Sequence, residues 1–179
     1  RMVLDRFTNL LAQFFGSKNL FFLRFSNGGK NNSYTLTKEL HLSRLHNPHG
    51  NELHEHYCRR WISLGILEKL KKSSSNKPVA GIQISKYWET KNEYLCISLA
   101  KPNTPEPNSH ISVTIGFLIN ERLKKKVKFL DDPKIPSKWV NETCERCPIS
   151  NCNERVAKPI VIKNEKKIET IEAALSELS

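Results

Sequence analysis

Apolar residues recur along the chain with two different spacings, and each spacing predicts a different kind of element. Residues 3–15 place apolar side chains every three or four positions, which is typical of a helix. The segment Leu20–Phe25 is short and aromatic, which favours a strand. Further strand candidates are short runs with alternating or continuous apolar residues: 34–37, 40–45, 79–88, 93–99 and 111–119.

Three more helices are predicted from apolar stripes and capping residues. The first runs from Asn51, whose side chain can cap a helix, to about Lys69. Its apolar face follows spacings of four and three: Leu53, Tyr57, Trp61, Leu64 and Leu67. Residues 120–129 predict a short basic helix, and residues 164–178 predict an amphipathic tail helix with Ile168, Ile171, Leu175 and Leu178 on one side.

The order of these elements predicts an α+β fold, in which helices flank an antiparallel sheet. This arrangement resembles the ligand-sensing folds of the GAF and PAS type. We divide the chain into a sensor domain over residues 1–140, a cysteine segment packed on it over 141–160, and a tail helix over 161–179. The segments 71–77 and 101–109, the second with three prolines, are expected to be a linker and an exposed loop.

The chain has 179 residues, enough for one domain with a hydrophobic core. No stretch approaches the roughly 20 apolar residues that span a bilayer. The first residues also lack the layout of a signal peptide. We therefore expect a cytoplasmic protein with no membrane partner. Because Arg1 is not an initiator methionine, we also expect the chain to be part of a longer protein.

A formal net charge of +11 makes nucleic acid or another polyanion a candidate partner. Most of the basic residues are dispersed, and one local run comprises Arg122, Lys124, Lys125, Lys126 and Lys128. No helix-turn-helix element is readable within the chain. The charge is therefore explained either by a solvated basic face or by a site that binds phosphates.

Three of the five cysteines lie within nine residues, at Cys144, Cys147 and Cys152. An odd count with this crowding is a poor disulfide framework, whereas closely spaced thiolates suit zinc or an iron–sulfur cluster. Three thiolates are one short of a closed tetrahedral zinc site, but they can hold a cubane cluster with one iron left for another ligand. The alternative is three free thiols in a loop.

A fourth ligand could come from a region that is rich in histidine. His46, His49, His54, His56 and Cys58 fall within thirteen residues. His54 and Cys58 stand four residues apart and would share a face of the predicted helix. The sequence His54-Glu55-His56-Tyr57-Cys58 is not a zinc-protease motif, because that motif requires a second histidine at position 58.

Cys144, Cys147 and Cys152 are followed by Arg155, Ala157 and Pro159. This segment, together with three shorter stretches, resembles the C-terminal domain of XRE-type transcriptional regulators that respond to short-chain fatty acyl-coenzyme A. The closing signature of that family is three cysteines followed by an arginine, an alanine and a proline, and Arg155, Ala157 and Pro159 stand in those places. The other similar stretches are shorter: 19–24, 40–44 continuing to 53–55, and 94–98.

The resemblance implies a ligand-sensing regulatory domain with acyl-coenzyme A as effector, and zinc or an iron–sulfur cluster at the three cysteines. It also implies contact with DNA through a domain that precedes Arg1. The family often carries a cysteine just before its His-Glu pair, and His49 stands near that place, so His49 is our preferred fourth ligand.

A coenzyme A site needs cations for the phosphates and an apolar slot for the acyl chain. Arg59 and Arg60, with the run from Arg122 to Lys128, are candidates for the cations. Trp61, Trp88 and Phe117 are candidates for the slot. Solvated charges and ordinary core aromatics are the alternative explanation of these residues.

The sequence therefore predicts a sensor domain and not an enzyme, because no nucleophile elbow, complete zincin helix, Walker loop or dinucleotide fingerprint is readable. The alternative is a zinc-stabilised module that itself binds nucleic acid. The stripe of the tail helix offers a surface to this domain or to a second copy, which leaves a homodimer open.

Overall fold

The structure is a computed structural model that describes residues 6, 19–27, 33–41, 55–73, 77–103, 106 and 109–177. The chain groups into two compact units. The first unit comprises Arg1–Asn47 and Arg60–Val140, and the second comprises Pro48–Arg59 and Asn141–Ser179. The second unit thus combines a short central segment with the whole C-terminal part of the chain.

The first unit is built on a mixed sheet with six strands in the described residues. In chain order these are β1 (Leu20–Asn27), β2 (Tyr34–His41), β3 (Val79–Tyr87), β4 (Glu93–Pro102), β5 (His110–Leu118) and β6 (Ser137–Val140). Their order across the sheet is β2-β1-β5-β4-β3-β6. The predicted α+β class is confirmed, but the prediction of an antiparallel sheet is wrong at one edge, where β6 runs parallel to β3.

The described part of the chain contains three helices of more than one turn: α1 (Ile62–Lys72), α2 (Glu121–Lys126) and α3 (Ile160–Glu177). Helix α1 buries Leu64, Leu67 and Leu70 and packs across β3, β4 and β5. Helix α2 is capped by Asn120, whose side chain accepts the Leu123 N–H at 2.9 Å. None of these helices is long and apolar enough to cross a membrane.

Most of the predicted strands are confirmed because their apolar patterns are strong. The candidates at 20–25, 79–88, 93–99 and 111–119 correspond to β1, β3, β4 and β5. The separate candidates at 34–37 and 40–45 are instead continuous as far as residue 41, in β2. The tail helix begins four residues earlier than predicted, at Ile160. The helix predicted over 3–15 lies almost wholly outside the described residues.

The predicted helix over 51–69 is wrong in the part before Ile62 that the structure describes. Trp61 has an extended backbone and stands immediately before the helix. Tyr57 forms an isolated antiparallel bridge with Thr143. The backbone of residues 56–58 therefore takes its hydrogen bonds from a segment far along the chain, and this pairing overrides the local helical spacing.

Three hydroxyls form a hydrogen-bonded group between α1 and the sheet. Thr114 on β5 donates from its hydroxyl to the Ser63 hydroxyl on α1 at 2.9 Å. The Ser98 hydroxyl on β4 lies 2.6 Å from Thr114 Oγ1 and 3.2 Å from the Val113 carbonyl oxygen. All three side chains are buried, so each depends on the others for its hydrogen bonds.

We expect Thr114→Val to lower the free energy of unfolding by about 1–3 kcal/mol. Valine preserves the shape of threonine, but it leaves the Ser63 and Ser98 hydroxyls short of a buried partner. Chemical denaturation of the two proteins measures the difference. Adding Ser63→Ala and Ser98→Ala to the variant should restore part of the loss, because no orphaned hydroxyl then remains. A triple variant that is weaker still would contradict this explanation.

Candidate cysteine site

Two distant segments of the chain pair with each other inside the second unit. The Cys58 N–H donates to the Glu142 carbonyl at 3.0 Å, and the Cys144 N–H donates to the His56 carbonyl at 2.9 Å. Side chains alternate along extended segments, so Cys58 and Cys144 lie on the same side of this short ladder. As diagonal neighbours, their backbones are about 7–8 Å apart.

A partly buried ion pair fixes one end of the ladder. The Glu55 carboxylate accepts the Thr143 hydroxyl at 2.6 Å. It also accepts hydrogen bonds from Nε of Arg146 at 3.0 Å and from Nη2 at 2.8 Å. Two parallel donors of this kind are the fork geometry of an arginine–carboxylate pair. The backbone of Arg146 is fixed as well, because its carbonyl accepts a hydrogen bond of 2.7 Å from the Asn141 side-chain amide. The turn that follows Cys144 is therefore fixed by side chains on both segments.

A second carboxylate, on Glu145, holds the backbone and the ring of His56. The Glu145 carboxylate accepts the His56 N–H at 2.9 Å and lies 2.7 Å from Nδ1 of the same residue. Burial alone would raise the pKa of Glu145, but the hydrogen bonds from His56 outweigh it and the pKa is lowered. The Glu145 carbonyl also accepts the Val161 N–H at 3.2 Å, which attaches the start of α3 to the same turn.

The segment from Cys144 to Arg155, called here the cysteine loop, is closed by one guanidinium group. Nη1 of Arg155 donates to the Cys144 carbonyl at 2.7 Å. Nη2 donates to the carbonyls of Cys147 at 3.1 Å and Ile149 at 2.5 Å. Three carbonyls that have no partner in a helix or strand are thereby satisfied by a single side chain. The planar fork suits this task, because its donors point in fixed and divergent directions.

Four of the five cysteines belong to this unit. The thiols of Cys58, Cys144 and Cys147 are buried, Cys152 is half-buried, and none forms a disulfide. Burial raises the pKa of Cys147, and the neighbouring thiols of Cys152 and Cys144 raise it further, while Arg155 and the Ile149 N–H lower it. Cys147 therefore lies within electrostatic reach of the other two thiols of the loop.

The sulfur atoms are nevertheless not arranged around one point. Among the described residues, no three side chains of histidine, cysteine, aspartate or glutamate are grouped so that they could hold a metal ion. The donor chemistry of the loop suits a soft metal, but its side chains would have to draw together to bind one. The predicted fourth ligand, His49, lies outside the described residues, as do His46 and His54.

Cys58 was among the candidates for a fourth ligand, but the sequence predicted the wrong setting for it. The sequence placed it on a helix with His54, whereas it pairs with Glu142 at the entrance to the cysteine loop. No local pattern could have revealed this, because the contact joins positions more than 80 residues apart. The fifth cysteine, Cys96, is buried in β4 of the first unit, where burial raises its pKa to about 12.

The aromatic residues that were predicted to line an acyl slot lie in three different places. Trp61 packs against Phe25, with ring centroids 6.0 Å apart. Phe117 packs against the cluster of Phe22, Val113 and Ile115, on the other face of the sheet. Trp88 is exposed, and its ring meets the ring of Trp139 edge to face, with the ring centroids 5.3 Å apart.

The predicted cations are also dispersed. Arg59 is assigned to the second unit and Arg60 to the first. The Arg60 carbonyl accepts a bond of 3.1 Å from the Gln83 side chain. The basic run is centred on the exposed helix α2, where Lys124 pairs with Glu121 at 2.9 Å. We find no arrangement in the described residues that brings these cations and the three aromatic residues together.

Comparison of the chain with protein-family models, with curated proteins and with solved structures finds no match. The chemistry and geometry of the cysteine loop are therefore the observations that bear on function.

Proposed function

We propose that this chain is the regulatory domain of a transcriptional regulator, and that its cysteine loop responds to a thiophilic metal or to oxidation. The observation that carries the proposal is the construction of the loop. Arg155 holds three carbonyls of a segment that contributes three thiols, and two of these are buried. A loop that needed only to connect two elements would not require this concentration of cysteine and fixed backbone.

The first unit takes the part of the sensor in this proposal. Its mixed sheet with α1 on one face is compatible with a fold of the GAF or PAS type. The resemblance to regulators of the acyl-coenzyme A-responsive family supports a small-molecule effector of that class. The same resemblance supports contact with DNA through a further domain.

The metal site would use Cys144, Cys147 and Cys152. We propose Cys58 as an alternative to His49 for the fourth ligand, because Cys58 lies on the same side of the ladder as Cys144. Four thiolates are a closed ligand set for structural zinc and also a common one for an iron–sulfur cluster. Binding would require a local change in which the side chains turn towards a common centre.

A thiolate site of this kind also responds to oxidants. Hydrogen peroxide would convert two ligand thiolates into one disulfide, while the peroxide takes up two electrons and two protons and is reduced to two molecules of water. Loss of two ligands would release the metal. The turn between Cys144 and Cys147 is attached to the start of α3 through Glu145. This turn would then lose the constraint that the bound metal had added.

We expect Cys147→Ser to lose bound metal and to lower the melting temperature, whereas Cys96→Ser should retain the metal. Both substitutions replace a buried thiol by a hydroxyl, but Cys96 lies in the sheet of the first unit. The measurement is metal content by elemental analysis, with visible absorbance of an anaerobic preparation to separate zinc from iron–sulfur. About one metal equivalent per chain is expected for zinc.

Two results would contradict the proposal of a metal. One is a wild-type chain that holds no metal after expression and takes up none when zinc or ferrous iron with sulfide is supplied. The other is equal metal content in Cys147→Ser and the wild-type protein. Retention of an acyl-coenzyme A species in native mass spectrometry is a separate test of the effector.

A second candidate function is direct binding of single-stranded nucleic acid, which the exposed pair of Trp88 and Trp139 favours. Stacking on aromatic rings and a basic surface are the two components of such sites. The pair lies where β3 and β6 end, beside Lys86, and the whole chain carries a net charge of +11. A mobility shift that weakens with salt and with Trp88→Ala would support this function, and no shift of either single- or double-stranded DNA would remove it.

A further inference from the structure

Helix α3 exposes most of its length, including a stripe of large apolar side chains. Ile168, Ile171 and Leu175 are 55, 59 and 61% exposed. The helix starts at the turn of the cysteine loop, where the Val161 N–H donates to the Glu145 carbonyl. Most of the stability of a helix in a protein comes from packing of its apolar face, and α3 has no acidic residue in its first turn and no basic residue in its last turn to support it.

The stripe has the spacing of a coiled coil. Val161, Asn164, Ile168, Ile171 and Leu175 follow one another at intervals of three, four, three and four residues. These are the a and d positions of a heptad repeat. The next d position in the sequence is Leu178, which lies outside the described residues. The positions that face away from the stripe carry lysine, glutamate, threonine, serine and alanine, with Ile162 as the exception.

We propose that α3 binds the α3 helix of a second copy of this chain as a parallel, in-register coiled coil. Charge complementarity supports a second copy as the occupant. In a parallel pair, a residue at g faces the residue five positions later, at e, on the other helix. Lys167 is at g and Glu172 is at e, so each helix would contribute one cation and one anion to two symmetric ion pairs.

The polar residue in the stripe selects the parallel orientation. In a parallel, in-register pair, Asn164 meets Asn164 of the second copy, and the two amides can donate and accept hydrogen bonds. In an antiparallel pair that overlaps fully, Asn164 would face Leu175, which would leave the buried amide without a hydrogen-bonding partner. Antiparallel helices would also bring Glu165 close to Glu172 of the other helix, because e positions then face each other.

Sedimentation of the full chain over a range of concentrations tests the proposal. We expect a reversible dimer, and we expect Ile171→Asp to weaken it by at least about 100-fold, because a charge then enters the core of the pair. Thr170→Asp is the matched control. It introduces the same charge at the neighbouring exposed position, which faces away from the stripe, and it should leave the dimer intact.

A charge exchange tests the orientation. Lys167→Glu should weaken the dimer roughly tenfold, because two attractive pairs become repulsive. Adding Glu172→Lys to the same chain should restore the affinity in a parallel dimer only. A double variant that remains as weak as Lys167→Glu would overturn the parallel arrangement.

The proposal as a whole is overturned by a chain that remains monomeric at about 100 μM, well above micromolar dissociation constants. It is also overturned if the wild-type chain is a monomer and Ile171→Asp lowers the melting temperature of that monomer. The stripe would then pack on its own chain. Binding of the monomer to anionic vesicles, lost in Ile171→Asp, would assign the stripe to a membrane surface instead. Repeating sedimentation with a metal chelator separates this inference from the proposed metal site, because the dimer requires no metal.

Discussion

Gly116→Ala should lower the free energy of unfolding by about 3 kcal/mol, the upper end of the usual cost of overpacking. A Cβ atom at this position would lie 2.1 Å from Cζ of Phe21 and 2.2 Å from its Cε1. The ring of Phe21 on β1 therefore lies directly across the backbone of β5, where only glycine leaves room. The ring cannot move aside easily, because it is 2% exposed and lies against Tyr94, with centroids 5.2 Å apart.

Thermal and chemical denaturation measure this loss, which corresponds to a fall in melting temperature of roughly 6–12 °C. Gly65→Ala is the matched control. Its Cβ would meet no atom within 4 Å, and alanine favours the helical backbone of α1 more than glycine does. We therefore expect the control to gain up to about 1 kcal/mol of stability.

The cause of the Gly116 effect can be tested separately from its size. In a Phe21→Leu background the ring atoms that a Cβ would meet are absent, so Gly116→Ala should cost clearly less than it does in the wild-type protein. An equal cost in both backgrounds would show that the loss comes from the strand backbone and not from the aromatic ring.

The sheet of the first unit was largely predictable because each strand carries its own signal. The apolar run of β5 and the hairpin of β3 and β4 are local patterns, and the capping side chain of Asn120 is a local contact. One strand of the same unit, β6, had no such signal. β6 has only four residues, with the sequence Ser-Lys-Trp-Val, and its place beside β3 depends on a parallel pairing between residues 53 positions apart.

The sequence marked which residues of the second unit lie close together along the chain, but not how its two segments are joined. The spacing of the three cysteines marked the loop, and the resemblance marked Arg155 as part of a signature. The spacing could not show that Arg155 closes the loop. The helical periodicity of residues 53–67 also concealed the pairing of Tyr57 with Thr143, which brings Cys58 to the loop. Periodicity describes one segment at a time, and this contact joins two segments.

Arg155→Ala should destabilise the second unit by about 2–4 kcal/mol, because three carbonyls lose a charged donor at once, and only that of Cys144 keeps a backbone donor, the Cys147 N–H at 3.4 Å. A hydrogen bond to a charged group contributes about 1.5–3 kcal/mol, and water at this half-buried position would replace part of the sum. The effect should be local, so hydrogen exchange is the appropriate measurement. We expect faster exchange at the amides of Cys144, Cys147 and Val161, while the strands of the first unit keep their protection.

Two further variants separate the geometry of Arg155 from its charge. Arg155→Lys keeps the positive charge but has a single nitrogen in place of the fork, so it should reach at most two of the three carbonyls and show intermediate exchange. Lys158→Ala removes an exposed cation from the same segment and should change stability by less than about 0.5 kcal/mol. If Arg155→Lys exchanges as slowly as the wild-type protein, charge alone holds the loop and the fork is not required. If Arg155→Ala does so, the three carbonyls depend on water or on other donors, and the loop does not owe its fixed backbone to this residue.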